Sequence, residues 1–134
     1  MLGCQTVPQE KVSSYGIEAS EATDNEHIFK VNDMVEKPAL NEASSRLAVL
    51  GRYVITPEIF IILEQTAPGR GGEIQLTDAL KVLAKQQNMY AYDFIGRRYD
   101  VGDKQGYLEA TTEYALRRED LKDKFLEYLK GIVE

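Results

Sequence analysis

A glutamate and a lysine stand side by side at the point where an alternating strand pattern meets a proline. The pattern covers Ile28–Glu36, and Lys37 and Pro38 follow it directly. Proline cannot continue a central strand and keeps the preceding residue out of the helical region, which puts Glu36 and Lys37 at a strand end. A carboxylate there can accept two sugar hydroxyls, and the adjacent ammonium can reach a phosphate. The alternative is an exposed charged loop, which the spacing alone favours.

A second carboxylate, Asp100, follows a tyrosine near another strand end. One such carboxylate suits Mg²⁺, which takes one or two protein carboxylates and otherwise binds waters and substrate phosphates. The alternative for Asp100 and Asp103 is turn formation and helix capping, and Asp103 fits that alternative better. Nucleophilic catalysis and zinc binding lack the residues they need, because Cys4 and His27 are the only cysteine and histidine.

The elements that must position these residues follow from the spacing of apolar side chains. Strands are predicted at residues 2–7, 15–19, 28–36, 47–55 and 89–95. In the third strand Phe29, Val31 and Asp33 are predicted to face one way and Met34 the other. Gly51 interrupts the fourth strand and predicts a bulge or a close approach of a ligand.

Helices are predicted after the fourth and fifth strands. Thr56 is expected to be the N-cap of the first helix, which runs to about Gln65. The first helix is expected to bury Ile59, Phe60, Ile62 and Leu63, and the third to bury Tyr107, Leu108, Thr111, Tyr114 and Ala115. The second helix carries an apolar stripe of Leu76, Ala79, Leu80, Leu83 and Ala84, and the last helix carries Leu121, Phe125, Leu126, Leu129 and Ile132 on one side.

A glycine-rich segment at residues 68–72 contains one arginine, Arg70. Such a segment can cradle an anion through its backbone N–H groups. It lacks the lysine of a P-loop and the glycine spacing of a dinucleotide-binding turn. A flexible connection is the reading that the spacing favours.

Composition limits the partners and the compartment. The 134 residues fit one domain, and a net charge of −6 argues against nucleic acid and anionic membranes as partners. The sequence lacks an apolar run of the roughly 20 residues that would span a bilayer. A single cysteine excludes an internal disulfide, and we expect a cytoplasmic protein.

Six short segments occur in an order that is specific when they are taken together. They are SYGI at 14–17, VEKP at 35–38, LAVLGRY at 47–53, TPEIF at 56–60, GGEIQLTDA at 71–79 and RYDVGDK at 98–104. The chain thereby resembles the C-terminal half of bacterial UTP–glucose-1-phosphate uridylyltransferases over essentially its whole length. The resemblance implies an α/β fold: a partial Rossmann-like nucleotide-diphosphosugar transferase domain with a mixed sheet, flanking helices and C-terminal helices over residues 1–134.

The resemblance also implies a reaction and a set of site residues. The reaction converts UTP and glucose 1-phosphate to UDP-glucose and pyrophosphate with Mg²⁺. By motif match, Gly16 contacts the sugar through its backbone and Glu36 binds glucose hydroxyls. Lys37 holds the phosphate next to the sugar and is the expected catalytic residue, and Asp100 stands at the metal position.

The family's nucleotide-binding N-terminal half is absent from these 134 residues. We therefore expect a fragment that cannot catalyse the full reaction alone. Because nucleotide choice lies mainly in that half, a glucose-1-phosphate thymidylyltransferase fragment stays an alternative. Another is a non-catalytic sugar-nucleotide-binding or assembly module that pairs chains through its last helix. Exposed sheet edges are expected to make the chain a homo-oligomer.

Overall fold

The structure, a computed structural model, describes residues 1–133 apart from the side chain of Arg70, so an anion cradle around that arginine lies outside the described residues. The chain divides into two compact units, Met1–Ile95 and Gly96–Glu134. No helix within residues 1–133 combines the length and apolar character needed to cross a membrane.

The first unit contains all five strands and two α-helices. The strands are β1 (Leu2–Thr6), β2 (Gly16–Ala22), β3 (Ile28–Glu36), β4 (Leu47–Tyr53) and β5 (Tyr90–Asp93). The helices are α1 (Glu58–Gln65) and α2 (Leu76–Gln86), with short 3₁₀ turns at Gln9–Ser14 and Arg70–Gly72. The predicted order of strands and helices is confirmed, with strand ends that differ by a few residues.

The five strands close into a ring in the order β1, β4, β2, β3, β5. Only β1 and β5 pair in parallel, and the other pairs are antiparallel, which makes the sheet mixed as predicted. The expectation of exposed sheet edges is wrong for these strands. Because the parallel pair joins the first strand to the last, each strand has a neighbour on both sides.

A β-bulge in β3 changes which side chains reach the core. Ala19 pairs with Asp33, but Ser20 pairs with Val31, so Asn32 is the extra residue on β3. Such a bulge breaks the two-residue alternation of a strand. Val31 and Met34 are therefore both buried, and the prediction that Met34 faces away from Val31 is wrong.

A second bulge lies in β4, where the sequence predicted one. The pairing with β1 slips between Leu2 and Cys4, opposite Gly51 and Arg52. Both residues have positive φ values, 83° and 66°. The glycine takes this conformation without the steric cost that a side chain brings, which is why the strand can bend there.

The core of the first unit lies between the strand ring and the two helices. On α2 the predicted stripe is confirmed, with Ala79, Leu80 and Leu83 buried. On α1, Ile59 and Ile62 are buried, but Phe60 is 68% exposed, so its predicted burial is wrong. A residue next to Ile59 is turned about 100° around the helix and misses the face that Ile62 shares.

The cap predicted for α1 is also corrected. Pro57 occupies the N-cap position of α1, and no side chain caps the helix. The Thr56 hydroxyl instead accepts a hydrogen bond from the side-chain amide of Gln87 at 2.7 Å. Thr56 thus ties the start of α1 to the end of α2.

The second unit consists of α3 (Lys104–Arg117) and α4 (Lys122–Val133), which contact each other. Asp103 caps α3 as predicted, since its carboxylate accepts the N–H of Gly106 at 2.9 Å. The buried face predicted for α3 is not formed: within the described residues only Ala110 of this unit is buried. The exposed apolar side chains include Tyr107, Leu108, Tyr114, Leu126 and Ile132.

Candidate functional site

The end of β3 meets the first turn of α2 at Glu36. Its Oε2 accepts a hydrogen bond of 2.6 Å from the hydroxyl of Thr77, which comes from 41 residues further along the chain. The Glu36 side chain is 20% exposed, so the carboxylate is held within the fold and still reaches its surface. A carboxylate is also stabilised beside the first turn of a helix, where backbone N–H groups concentrate positive charge.

Gly16 is the cross-strand partner of Glu36 and leaves room for this contact. A Cβ atom at Gly16 would lie 3.1 Å from Glu36 Oε2 and 3.3 Å from the Thr77 hydroxyl. Both distances are tighter than ordinary contacts of a Cβ atom. The sequence predicted backbone access at this glycine, and the structure gives a steric reason for a residue without a side chain.

Lys37 lies directly beside the Glu36 carboxylate. Its Nζ is 4.0 Å from Glu36 Oε1, and its side chain is 53% exposed. The backbone of Lys37 has a φ of 45°, a left-handed conformation that a lysine adopts at an energetic cost. Its N–H donates to the carbonyl of Tyr15 at 3.0 Å, which anchors this conformation to the start of β2.

Asp100 belongs to the second unit, and two of its contacts are with near neighbours in the chain. One carboxylate oxygen accepts the N–H of Gly102 at 3.3 Å, and the other lies 3.2 Å from the Arg98 guanidinium. The side chain is 39% exposed. Each carboxylate oxygen has two lone pairs, which leaves this group able to give a cation one ligand. The described residues contain no cluster of three or more acidic, histidine or cysteine side chains for a metal.

A buried carboxyl and thiol pair lies in the first unit as well. Glu18 and Cys4 are fully buried, and the Cys4 thiol donates to Glu18 Oε1 at 2.8 Å. The other carboxylate oxygen of Glu18 has no partner among the described residues. Burial raises the pKa of Glu18 to about 7, against the opposing effect of the thiol hydrogen bond. Burial also raises the pKa of Cys4, so this thiol is protected from nucleophilic chemistry.

Three of the four predicted site residues, Gly16, Glu36 and Lys37, therefore come together at one end of the strand ring. Thr77 joins them, and sequence reasoning gave it no role. The only signal was its place in the GGEIQLTDA segment, at the start of α2, which follows the turn made by Gly71 and Gly72. The group offers a carboxylate, an ammonium and a backbone without a side chain, which together can bind a ligand that carries hydroxyls and phosphate.

The fold is that of a nucleotidyl transferase. The model of the nucleotidyl transferase family matches residues 1–117, and the chain belongs to that family. Enzymes of this family generally use a divalent metal ion.

Two curated relatives carry the same name. A UTP–glucose-1-phosphate uridylyltransferase of Bacillus subtilis is 45% identical over 133 residues, which are 99% of this chain and 45% of the relative. The enzyme of the same name in Streptococcus pneumoniae is 49% identical over 128 residues, which are 96% of this chain and 43% of the relative. The chain thus spans less than half the length of these relatives.

Solved structures agree with the relatives. A UDP-glucose pyrophosphorylase complexed with UDP-glucose superimposes with a TM-score of 0.82 at 46% identity, over 87% of this chain and 44% of that one. A UTP-bound UDP-glucose pyrophosphorylase from Acinetobacter baumannii gives a TM-score of 0.79 at 36% identity, over 99% of this chain and 44% of that one. The predicted α/β fold of the nucleotidyltransferase type is confirmed.

Proposed function

We propose that this chain is the sugar-phosphate-binding half of an enzyme that makes UDP-glucose and pyrophosphate from UTP and glucose 1-phosphate. Residues 1–134 would form the C-terminal part of its Rossmann-like domain. The observation that carries the proposal is the meeting of Gly16, Glu36 and Lys37 at one surface. The names of the relatives support the choice of sugar, phosphate and nucleotide.

Each site residue has a role in this proposal. Glu36 accepts hydrogen bonds from two glucose hydroxyls, and the backbone at Gly16 lies against the sugar. Lys37 binds the phosphate of glucose 1-phosphate and offsets its charge as that phosphate attacks the α-phosphate of UTP. Such a transfer needs positioning and charge neutralisation instead of a protein nucleophile. Asp100 would hold Mg²⁺, which neutralises phosphate charge when bound.

The proposal also covers the activity of the chain alone, its association and its location. Because nucleotide contacts are expected mainly in the part of the relatives that this chain does not match, the chain alone would bind the sugar phosphate and not turn it over. The exposed apolar side chains of α3 and α4 favour association into a homo-oligomer. We also propose a cytoplasmic location, because free cysteines are typical of a reducing compartment.

The test is a titration of the purified chain with glucose 1-phosphate and Mg²⁺, measured by calorimetry. We expect weak binding that Glu36→Gln and Lys37→Met each reduce at least tenfold, because each removes a charge-assisted contact. Lys30→Met is the matched control, since Lys30 is an exposed lysine on the same strand. An unchanged affinity in Glu36→Gln or Lys37→Met would refute the assigned role. Absence of binding in the unaltered chain would refute the function.

A further inference from the structure

One of the two carboxylate oxygens of Glu36 already accepts a hydrogen bond from within the protein. The Thr77 hydroxyl has a single proton to donate, and it donates that proton to Glu36 Oε2. The other oxygen, Oε1, lies on the side of Lys37. The carboxylate plane is therefore set by one residue of α2 and faces the lysine expected to hold phosphate.

The absence of a side chain at Gly16 leaves room for Thr77 beside β2. A Cβ atom built at Gly16 would lie 3.3 Å from the Thr77 hydroxyl and 3.6 Å from its methyl group, so a side chain there would crowd Thr77. The hydroxyl and the methyl group of a threonine turn together about one torsion, and the hydrogen bond to Glu36 selects the orientation in which the hydroxyl donates to the carboxylate. The arrangement of Gly16, Thr77 and Glu36 is thus organised before any ligand arrives.

A carboxylate whose orientation is already fixed favours a ligand that offers two hydroxyls. Without Thr77 the terminal torsion of Glu36 has a broad range, and binding two hydroxyls would require its orientation to be fixed at an entropic cost. Phosphate needs no such fixation, since Lys37 contacts it as a point charge. The Thr77 contact should therefore matter for the sugar and not for the phosphate.

We propose that Thr77 is a positioning residue that makes the site selective for a sugar phosphate over inorganic phosphate. It acts by orienting the Glu36 carboxylate toward paired sugar hydroxyls and does not contact the ligand. This inference rests on the proposed function, because it assumes that Glu36 binds the sugar.

The test compares the unaltered chain with the variants Thr77→Val and Thr77→Ser. Each is titrated by calorimetry with glucose 1-phosphate and, separately, with inorganic phosphate. Thr77→Val keeps the shape of the side chain and removes the donor, and Thr77→Ser keeps the donor and removes the methyl group. We expect Thr77→Val to bind glucose 1-phosphate about tenfold more weakly and to bind phosphate with unchanged affinity. We expect Thr77→Ser to stay within about threefold of the unaltered chain for both ligands.

The outcomes separate this inference from the proposed function. Binding of glucose 1-phosphate by the unaltered chain and equally by Thr77→Val would overturn the role of Thr77 and leave the function standing. An equal loss of both ligands in Thr77→Val would overturn it too, since that is the mark of general structural damage. If the unaltered chain bound phosphate but showed no preference for glucose 1-phosphate, both the role of Thr77 and the proposed function would be overturned. Thr77→Ala, which adds no volume, takes the place of the valine variant if the latter does not fold.

Discussion

The two carboxylates singled out by the sequence are positioned in different ways. Glu36, in the first unit, is surrounded by Gly16 from another strand and by Thr77 from a helix 41 residues away. Asp100, in the second unit, contacts Arg98 and Gly102, each two residues away. The setting of Glu36 thus depends on packing between distant parts of the first unit, whereas these two contacts of Asp100 are made within a turn. Changes in the core of the first unit should reach Glu36 and leave these two contacts of Asp100 unaffected.

The two units also differ in the contacts that stabilise them. The strand ring buries an apolar cluster that includes Leu2, Met34, Leu80 and Leu83. The second unit forms exposed ion pairs, such as that of Arg118 with Asp120 between its two helices. Exposed ion pairs contribute little, typically about 0–1 kcal/mol each. Stability therefore resides mainly in the first unit, and each prediction below tests this contrast.

The largest expected effect is a loss of stability of the first unit as the pH rises. The pKa of Glu18 is raised to about 7 by burial, from an ordinary value near 4.5. Between these values the unfolded chain releases a proton that the folded chain keeps, so the free energy of unfolding falls with rising pH. We expect a decrease of roughly 2–3 kcal/mol from pH 5 to pH 8. Urea unfolding followed by circular dichroism at the two pH values measures it.

Glu18→Gln provides the control for this pH dependence, because it removes the titrating group and keeps the size of the side chain. The slope should become nearly flat in this variant. Asp100→Asn, in the other unit, should keep the slope of the unaltered chain. A slope that survives in Glu18→Gln would show that another group governs the pH response.

The next effect in size is that of a methyl group added beside Glu36. Gly16→Ala places a Cβ atom 3.1 Å from Glu36 Oε2, so the carboxylate or the Thr77 hydroxyl must shift. We expect a loss of about 1–2 kcal/mol in the free energy of unfolding, typical of overpacking. Affinity for glucose 1-phosphate should fall with it. Gly131→Ala is the control, because a Cβ atom there meets nothing within 4 Å.

In the second unit the largest single effect should be that of a helix cap. Asp103→Ala removes the acceptor for the Gly106 N–H at the start of α3. Loss of such a cap typically costs about 1 kcal/mol. Helicity by circular dichroism and protection of the first amides of α3 from hydrogen exchange should both decrease. Asp120→Ala, which breaks an exposed ion pair, should have less than half this effect on stability.

The smallest effect on stability should accompany a large effect on binding. Lys37→Gly removes the side chain from a backbone with a φ of 45°. Relief of the left-handed strain, offset by the greater freedom of glycine in the unfolded chain, should leave stability unchanged or raised by up to about 1 kcal/mol. Affinity for glucose 1-phosphate should nevertheless fall at least tenfold. A clear loss of stability would mean that the lysine side chain supports the fold.

Much of the local structure could be predicted from the sequence. The β3 strand was bounded correctly at Ile28–Glu36, because its alternation ends against Pro38. The apolar stripe of α2 and the Asp103 cap also depend on neighbours within a few positions, which a sequence displays directly. The corrected cap at Thr56 and the corrected sheet edges involve residues distant in the chain. The other corrected predictions, at Met34, at Phe60 and on the face of α3, concern which side chains are buried. Burial depends on partners distant in the chain.

The sequence by itself determined that a carboxylate and an ammonium stand together at the end of a strand, since adjacency and the block imposed by proline are local properties. Only the tertiary structure decided what that pair faces. The extra residue Asn32 shifts the alternation of β3 and puts Glu36 on the side of Val31 and Met34. Closure of the ring and packing of α2 then bring Gly16 and Thr77 against the carboxylate, through contacts between residues that no local pattern connects.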